Sequence, residues 1–519
     1  MSTLVAFPAV HVQLGNTLVD EHVLGTMESL NVRQQLSAPT QAELVFCNPP
    51  EAFLDTVLGN KEQLLEVQLG GQAQSLFRGM VTAVELKYTS SQSCSVYLRG
   101  HDPLYALVRR RPVRAHFEMN LVDLARELVG ELGIDVEATI SGPVRQTLVQ
   151  HNQSDLQLLR QATDKEGVYF QLRGKRLQLF TLDGSGEQLG LALGRDLLSV
   201  EIEVNAGSAC REVEVRAWDP WLMEMRQGDA TGVPGSSSSL LSPAEDSSLI
   251  LPNRVAQSDE QAQAWAQGLL DRRIAGEMVL RGVAEGNTDL QPGLGIEIQG
   301  VPHHVSGPYV LVSVNHVIDG RQGYVCEIDS TPPPTPSGVE AATATTYGVV
   351  SHVADPEGLA RIRVVLPTFD EFETDWLDVV MPAAGPDKGL IALPDIGDRV
   401  LLLLVNGDPT QGVVLGGVYG SQSPPDAGVE EERVERYSFL TPGGQMIRMD
   451  DGASSLRMET TDGQYVEMTP EVVQVGDANG NLMEMSEQRY LIHAATQLEI
   501  EAPGDRVFIR GRAIDFERA

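Results

Sequence analysis

The sequence predicts a mainly β chain with an α/β insert. It reads as an N-terminal pair of β-barrels, a smaller barrel, and a C-terminal β-prism that several copies must build together. Three observations carry this. Short bursts of period-2 apolar alternation, bounded by turn formers, recur along most of the chain, as repeated short strands do. Three helical signals interrupt them in the first 330 residues. Over residues 440–519 each burst offers only two or three apolar side chains. A sheet built from such strands has one greasy face and an open edge. At 519 residues the chain is long enough for three or four domains.

Residues 1–330 are the first block. Strand patterns occur at Val10–Leu14, Ala42–Phe46, Leu64–Leu69, Gly79–Leu86 and Cys94–Leu98, which suggests a small antiparallel barrel. Asn120 caps a helix over Leu121–Leu132, and Ser154 caps a second over Asp155–Lys165 with Leu156, Leu159 and Ala162 on one face. A hairpin spans Val168–Phe180, turning at Arg173-Gly174. Strands return over Leu198–Ala217 and Val279–Ile328, with a helix near Asp259–Ile274. The block reads as two β-barrels joined by an α/β insert, with a Ser-, Pro- and Gly-rich surface loop at Gly232–Ser248.

Residues 331–346 are a Pro-rich, then Ala/Thr-rich linker. Residues 347–420 then show strands at Gly348–Val353, Ala360–Leu366, Trp376–Val380, Gly389–Leu393, Arg399–Val405 and Val413–Tyr419. Turns at Asp355-Pro-Glu-Gly, Pro394-Asp-Ile-Gly and Asn406-Gly-Asp-Pro separate them, a pattern that fits an OB-fold barrel. Residues 421–439 form a short acidic link. Residues 440–519 alternate at Leu456/Met458, Val466/Met468, Val473/Val475, Met483/Met485, Leu498/Ile500, Val507/Ile509 and Ile514/Phe516. Turn formers Asp451-Gly452, Asp462-Gly463, Asn479-Gly480 and Gly504-Asp505 punctuate these bursts. Winding several identical chains into one closed prism buries the apolar face and removes the edge. Six methionines between Met446 and Met485 suit a narrow core with irregular gaps.

Composition excludes several functions. The formal charge is −34, from 72 acidic and 38 basic residues. Nucleic-acid binding needs a basic surface, so a DNA or RNA partner is disfavoured. An acidic surface instead keeps a large particle component soluble. Cys47, Cys94, Cys210 and Cys326 lack the paired spacing of a zinc site and are too sparse for a disulfide scaffold. The N-terminus has neither the basic region nor the apolar core of a signal peptide, and no stretch approaches ~18 apolar residues. Synthesis in the bacterial cytoplasm is expected.

The residues 355–419 resemble the OB domain of the VgrG and phage tail-needle family. The words are Asp355-Pro-Glu-Gly-Leu-Ala-Arg-Ile-Arg-Val, Trp376, Leu393-Pro-Asp-Ile-Gly-Asp-Arg-Val, Val405-Asn-Gly-Asp-Pro and Val414-Leu-Gly-Gly-Val-Tyr, and their order and spacing together are specific. Upstream, the run from His151-Asn-Gln-Ser-Asp to Glu166-Gly-Val-Tyr-Phe is similar to the hub domain of the same family, as are Ala217-Trp-Asp-Pro and Gly307-Pro-Tyr-Val-Leu-Val. The resemblance implies a homotrimeric, tube-capping hub (1–330), the OB domain (347–420) and an intertwined trimeric β-helix or prism (440–519). It also implies partners: a hexameric tail-tube protein, baseplate proteins and the target cell envelope. The expected trimer core is Leu456, Met458, Val466, Met468, Val473, Val475, Leu498, Ile500, Val507 and Ile509. The chain lacks the metal-binding His-x-His tip of some relatives, so Ile514, Phe516 and Arg518 are expected to dock a separate PAAR-like tip protein. About ten strands at ~4.7 Å would give a needle on the order of 45 Å long.

No enzymatic motif is found: no P-loop, no GxSxG elbow, no HExxH pair. Some relatives carry a lysozyme domain between barrel and needle, and the link here is too short for one. His303-His304 and His316 are expected to be surface or loop residues rather than metal ligands, since adjacent strand residues face opposite sides. Asp450-Asp451 is a turn. His493 would hold an axial ion only if three copies met at the prism axis, and no metal or other cofactor is expected. The leading expectation is a non-enzymatic spike and baseplate hub, in an extracellular phage-like particle. The alternatives are a type VI secretion VgrG, a bacteriophage tail spike, a cell-wall hydrolase-type tail needle, and an OB-type oligonucleotide or glycan binder.

Overall fold

The structure is a computed structural model that describes residues 8–517, apart from 60–62, 71–74, 91–92, 185, 206, 208–209, 220–223, 233–247, 257, 335–343 and 421–422. The Gly232–Ser248 loop and the Pro-rich linker thus lie largely outside the described residues. The chain divides into two compact units, Met1–Val418 and Tyr419–Ala519.

The spine of the first unit is an 11-stranded sheet. Its strands run in the order Leu197–Val204, Met278–Glu285, Gly323–Asp329, Ser313–Asp319, Met27–Gln35, Gln41–Cys47, Cys94–His101, Phe77–Tyr88, Leu64–Leu69, Val10–Leu14 and Thr17–Leu18. The two β units read from the sequence are therefore parts of one sheet. Ser313–Asp319 pairs antiparallel with Met27–Gln35, register Val317↔Asn31, and stitches them together. They also share one core, in which Leu44, Phe46 and Leu98 lie in the same cluster as Leu280, Val314 and Ile328. No local pattern encodes a pairing between strands almost 300 residues apart.

Between the two halves sits the α/β insert. Helices α1 (Leu121–Val129) and α2 (Asp155–Lys165) begin at their expected caps. The Asn120 side chain accepts from the Val122 and Asp123 amides, and Ser154 forms a capping box with Gln157, which satisfies amides that the first helical turn leaves free. The hairpin Tyr169–Arg173/Arg176–Phe180 completes a core around Leu124, Leu128, Leu159, Phe170 and Leu179. Helix α3 (Asp259–Ala275) packs on a sheet of its own, with Val213, Val215, Ala262 and Leu270 between them. Where α2 ends, Gly167 lies so close to α3 that a Cβ there would stand 2.3 Å from the Gly268 Cα. Beside it the Arg272 guanidinium donates to the buried Tyr169 hydroxyl at 2.9 and 2.7 Å.

The OB region is a five-stranded sheet in the order Phe372–Glu373, Arg363–Leu366, Ala344–His352, Arg399–Leu404, Gly412–Gly417. Val350, Val364, Leu366, Leu402 and Val414 fill it. Ala344–His352 starts inside the expected linker. The Asp355-Pro-Glu-Gly word is a turn whose carboxylate takes a bidentate bond from Arg361 at 2.8 Å on both arms. Two expected strands are not formed. Trp376–Val380 makes only the bridges Ile362↔Leu377 and Val379↔Val414, and Gly389–Leu393 pairs with no strand and belongs to an exposed loop. Its alternation lacks a neighbouring strand to bond.

Candidate functional site: the open apolar face of the C-terminal sheet

The second unit is a seven-stranded antiparallel meander in which sequence neighbours are spatial neighbours. Its strands are β1 (Arg436–Leu440), β2 (Met446–Asp450), β3 (Ser455–Glu459), β4 (Tyr465–Met468), β5 (Val472–Gly476), β6 (Leu482–Ser486) and β7 (Tyr490–His493). Strand β1 begins within the expected 421–439 link and ends at Leu440. The acidic run beside it masks its Tyr437/Phe439 alternation.

The turns come from the residues the sequence marks. Asp477 accepts from the Asn479 and Asn481 amides, both at 2.9 Å, and Gly463 and Gly480 adopt φ of 84° and 89°, where only glycine is unstrained. Asp450-Asp451 enters a turn, with the Ala453 amide donating to Asp450 at 2.8 Å.

With the register set by these turns, apolar side chains align across all seven strands. One row runs Phe439–Ile447–Met458–Val466–Val475–Met483–Ile492, each paired with the next. A second runs Tyr437–Met449–Leu456–Met468–Val473–Met485–Tyr490. Alternate residues of a strand share a face, so both rows lie on one side. Nothing in the described chain covers them: Met458 is 44% exposed and Met468 42%.

The central row of the opposite face is mostly polar and makes its bonds within the chain. It runs Ser438–Arg448–Arg457–Glu467–Gln474–Glu484–Leu491. Arg457 bonds Glu459 at 2.8 Å and Glu467 at 3.0 Å, and Gln474 donates to Glu484 at 3.0 Å. Arg457 also lies over the Tyr465 ring, 4.5 Å from its centroid. Gly476 opposite has no side chain to displace that ring, since a Cβ there would come within 2.8 Å of it. The acidic link folds onto the sheet: Asp426 pairs with Arg436 at 3.2 Å and Arg448 at 3.5 Å. The Arg436 guanidinium holds the Asp426 carboxyl down at about 2.

Of the expected core residues, Leu456, Met458, Val466, Met468, Val473 and Val475 fall together on the apolar face. Tyr437, Phe439, Ile447, Met449 and Ile492 belong there too. Their signal was the same alternation, which for Tyr437 and Phe439 begins before residue 440. Met446 faces the polar side. Leu498, Ile500, Val507 and Ile509, expected in strands, lie in a stretch that forms none among the described residues, and all four are exposed. Beyond β7 the single chain has no strand left for them to pair with. Ile514 and Phe516 are likewise exposed, Phe516 at 91%, and Arg518 lies outside the described residues. His493 pairs with Leu482, on the face away from Ile492 and hence away from the apolar rows.

The other histidines separate. His303 and His304 sit on a short 3-10 turn. His316, expected at the surface, is instead fully buried in the hub, with Nδ1 3.0 Å from the Tyr324 hydroxyl and 3.2 Å from the Cys326 sulfur. Burial pushes its imidazole down to about 4. Among the described residues no group of His, Cys, Asp and Glu is arranged to hold a metal, and no helix is long and apolar enough to cross a membrane.

Residues 30–320, more than half of the chain, match the Alg8 N-terminal domain family. Residues 346–419 match the type VI secretion system/phage-baseplate injector OB domain. The chain belongs to the Alg8 N-terminal domain family, and its OB-domain match together with the relatives that follow supports a VgrG and phage tail hub family. It is 29% identical over 122 residues, 22% of its length, to the type VI secretion system spike protein VgrG2a of Pseudomonas aeruginosa. With VgrG4b of the same organism it shares 30% over 163 residues, 28% of the chain. These matches span 14% and 19% of the relatives' own lengths. In fold it is similar to the Escherichia coli c3393 protein, described as a component of the type VI secretion system with structural similarity to T4 bacteriophage tail proteins gp27 and gp5. That likeness has a TM-score of 0.51 at 14% identity and covers 76% of this chain and 96% of that one. It is also similar to a chain of the Francisella PdpA–VgrG complex, TM-score 0.53 at 10% identity, covering 94% and 88%. The OB-fold reading of residues 347–420 agrees with the match over residues 346–419.

Proposed function

We propose that three copies of this chain form the spike of a contractile injection system, with the hub capping the tail tube and the terminal sheets closing into a puncturing needle. One observation supports this above the others: an apolar face seven strands deep is left open, while the opposite face carries ion pairs and hydrogen bonds made within the chain. Three such sheets turned inward form a triangular prism whose core is the two apolar rows. Residues 494–517, which have alternating stretches but no strand partner among the described residues, pair between chains to continue the needle. Seven strands at ~4.8 Å give the sheet portion a height of about 30 Å.

The role is mechanical rather than catalytic. Only residues 419–435 separate the OB barrel from β1, too few for an inserted enzyme domain. Sheath contraction drives the tube, and a closed prism resists because strands of three chains must part together. The partners are the hexameric tail-tube protein, baseplate proteins, a PAAR-like tip protein seated on Ile514, Phe516 and Arg518, and the target envelope. We favour an extracellular phage-like particle over a type VI secretion VgrG or a bacteriophage tail spike. Genes for a capsid beside this one would mean a phage, and genes for a membrane-anchoring complex would mean type VI secretion. Native mass measurement tests the reading: the expected species is three times the 56.3 kDa chain, and a monomer at micromolar concentration overturns it.

A further inference from the structure

Residues 103–117 hold four arginines and neither Asp nor Glu, in a chain whose acidic residues outnumber its basic ones 72 to 38. Arg109-Arg110-Arg111 is the only run of three basic residues in the sequence. It ends the short helix Ala106–Arg109 and leads into the strand Arg114–Met119. The backbone is extended at Arg110 (φ −84°, ψ 124°), and Pro112 biases Arg111 to the same region. Side chains therefore alternate between two sides along the run. One side faces inward. Arg110 reaches Glu131 at 3.0 Å and lies 3.9 Å from the Asp155 carboxylate, while Arg114 donates to the fully buried Asp155 at 3.2 Å. His116, further along, is buried 3.1 Å from Glu127. The Asp155 amide also donates to the Arg110 carbonyl at 3.0 Å, which pins the run to α2. The other side looks outward. Arg111 is exposed there, next to the exposed Arg109, and among the described residues neither makes an ion pair. Val113 and Ala115 follow, half-buried, and then Phe117, 58% exposed.

We infer that this ledge binds an acidic, extended segment of a partner protein, with carboxylates on Arg109 and Arg111 and an apolar side chain against Phe117. The inference stands apart from the trimeric reading, since every group it uses belongs to one chain. Charge is the first argument for this occupant. Asp155 and Glu131 occupy Arg110 and Arg114 and leave two guanidiniums in surplus, in a chain of charge −34 that repels anions over most of its surface. The field of an exposed charge fades over about 8 Å at physiological salt. A short segment on the ledge therefore meets the arginines alone, whereas a long polyanion must also lie over the acidic surface around them. Shape is the second argument. Arg111 to Phe117 spans about 20 Å of extended backbone, a length that a few residues of extended peptide match. Arginine and phenylalanine are also the residue types that anchor protein partners, and a phenyl ring adds little toward a phosphate polymer. Glu118 follows Phe117, which keeps the carboxylates of the segment at the arginine end.

The test titrates the full chain into a fluorescein-labelled, glutamate-rich peptide of about eight residues that ends in leucine, read by anisotropy. The expected result is saturable binding that weakens as salt is raised. Arg109→Glu with Arg111→Glu should weaken it at least about tenfold. Arg176→Glu with Arg321→Glu makes the same change of net charge at two other exposed arginines and should leave it unchanged. Phe117→Ser should weaken binding severalfold while the salt dependence stays. Circular dichroism and melting temperature report whether each variant is folded, and Arg109→Gln with Arg111→Gln replaces the charge reversal if that pair is not. Absence of saturable binding by the unaltered protein, or an equal loss in the two arginine pairs, overturns the ledge. Tighter binding of inorganic polyphosphate or of phosphatidylglycerol vesicles than of the peptide overturns the assignment to a protein segment. Neither result bears on the spike reading, which native mass decides.

Discussion

The hub sheet and the terminal sheet use the same period-2 alternation and reach opposite ends. In the hub, Leu30, Leu44 and Leu98 project from adjoining strands and are entirely buried. In the terminal sheet, Met458, Met468 and Val475 occupy equivalent positions and stay over two-fifths exposed. The difference is connectivity. Hub strands distant in sequence pair, curl and take cover from one another around a shared core. The terminal strands pair only with their sequence neighbours, so the sheet has nothing left of its own chain to fold over its apolar face. One region buries its apolar face within the chain, and the other leaves its own open.

The largest test acts directly on that open face. Val466→Asp with Val475→Asp sets two charges side by side in the first apolar row, six in a trimer. Burying an unpaired carboxylate costs several kcal/mol, more than the ~1.5–3 kcal/mol each valine contributes when fully covered. The expected outcome is loss of the trimer by native mass with the circular dichroism of the hub unchanged. A trimer that persists would mean the face lies outside the interface.

A second test acts on the hub alone. Burial pushes the Glu166 carboxyl up to about 7, despite the Arg145 guanidinium 2.6 Å away. A carboxyl whose folded value is raised favours the fold when protonated. Stability therefore falls as pH rises from the ordinary carboxylate value near 4.5 through about 7, and is restored on acidification. Asp102, pushed up to about 6 by burial, acts in the same sense. The hub melting temperature should rise between pH 8 and pH 5, and Glu166→Gln should flatten part of that rise without changing the oligomer. Identical slopes in the two proteins would refute the assignment.

The smallest effect is expected on the polar face. Arg457→Ala removes the links to Glu459 and Glu467, partly exposed pairs worth about 0–1 kcal/mol. The trimer should survive with a melting temperature lowered by only a few degrees. Loss of assembly would mean that this face, rather than the apolar one, is the interface.

Much of the architecture was legible locally. The caps Asn120 and Ser154, the turn at Arg173-Gly174, helix α3 and the turns of the terminal sheet are set by residues within a few positions of where they act, and the OB words identified the family. The alternation of Val466/Met468 and Val473/Val475 alone determined which side chains share a face. It failed where alternation had no partner strand, as at Gly389–Leu393 and Leu498–Ile500, and where a charged neighbour masked it, as at Tyr437/Phe439. What only the tertiary structure decided is long-range. The joining of two β units into one sheet through Ser313–Asp319 and Met27–Gln35, the burial of His316, and the close approach of Gly167 to Gly268 depend on segments that meet only when the chain is folded. A strand's pattern says which side wants cover; what supplies that cover is settled by the chain's path through space.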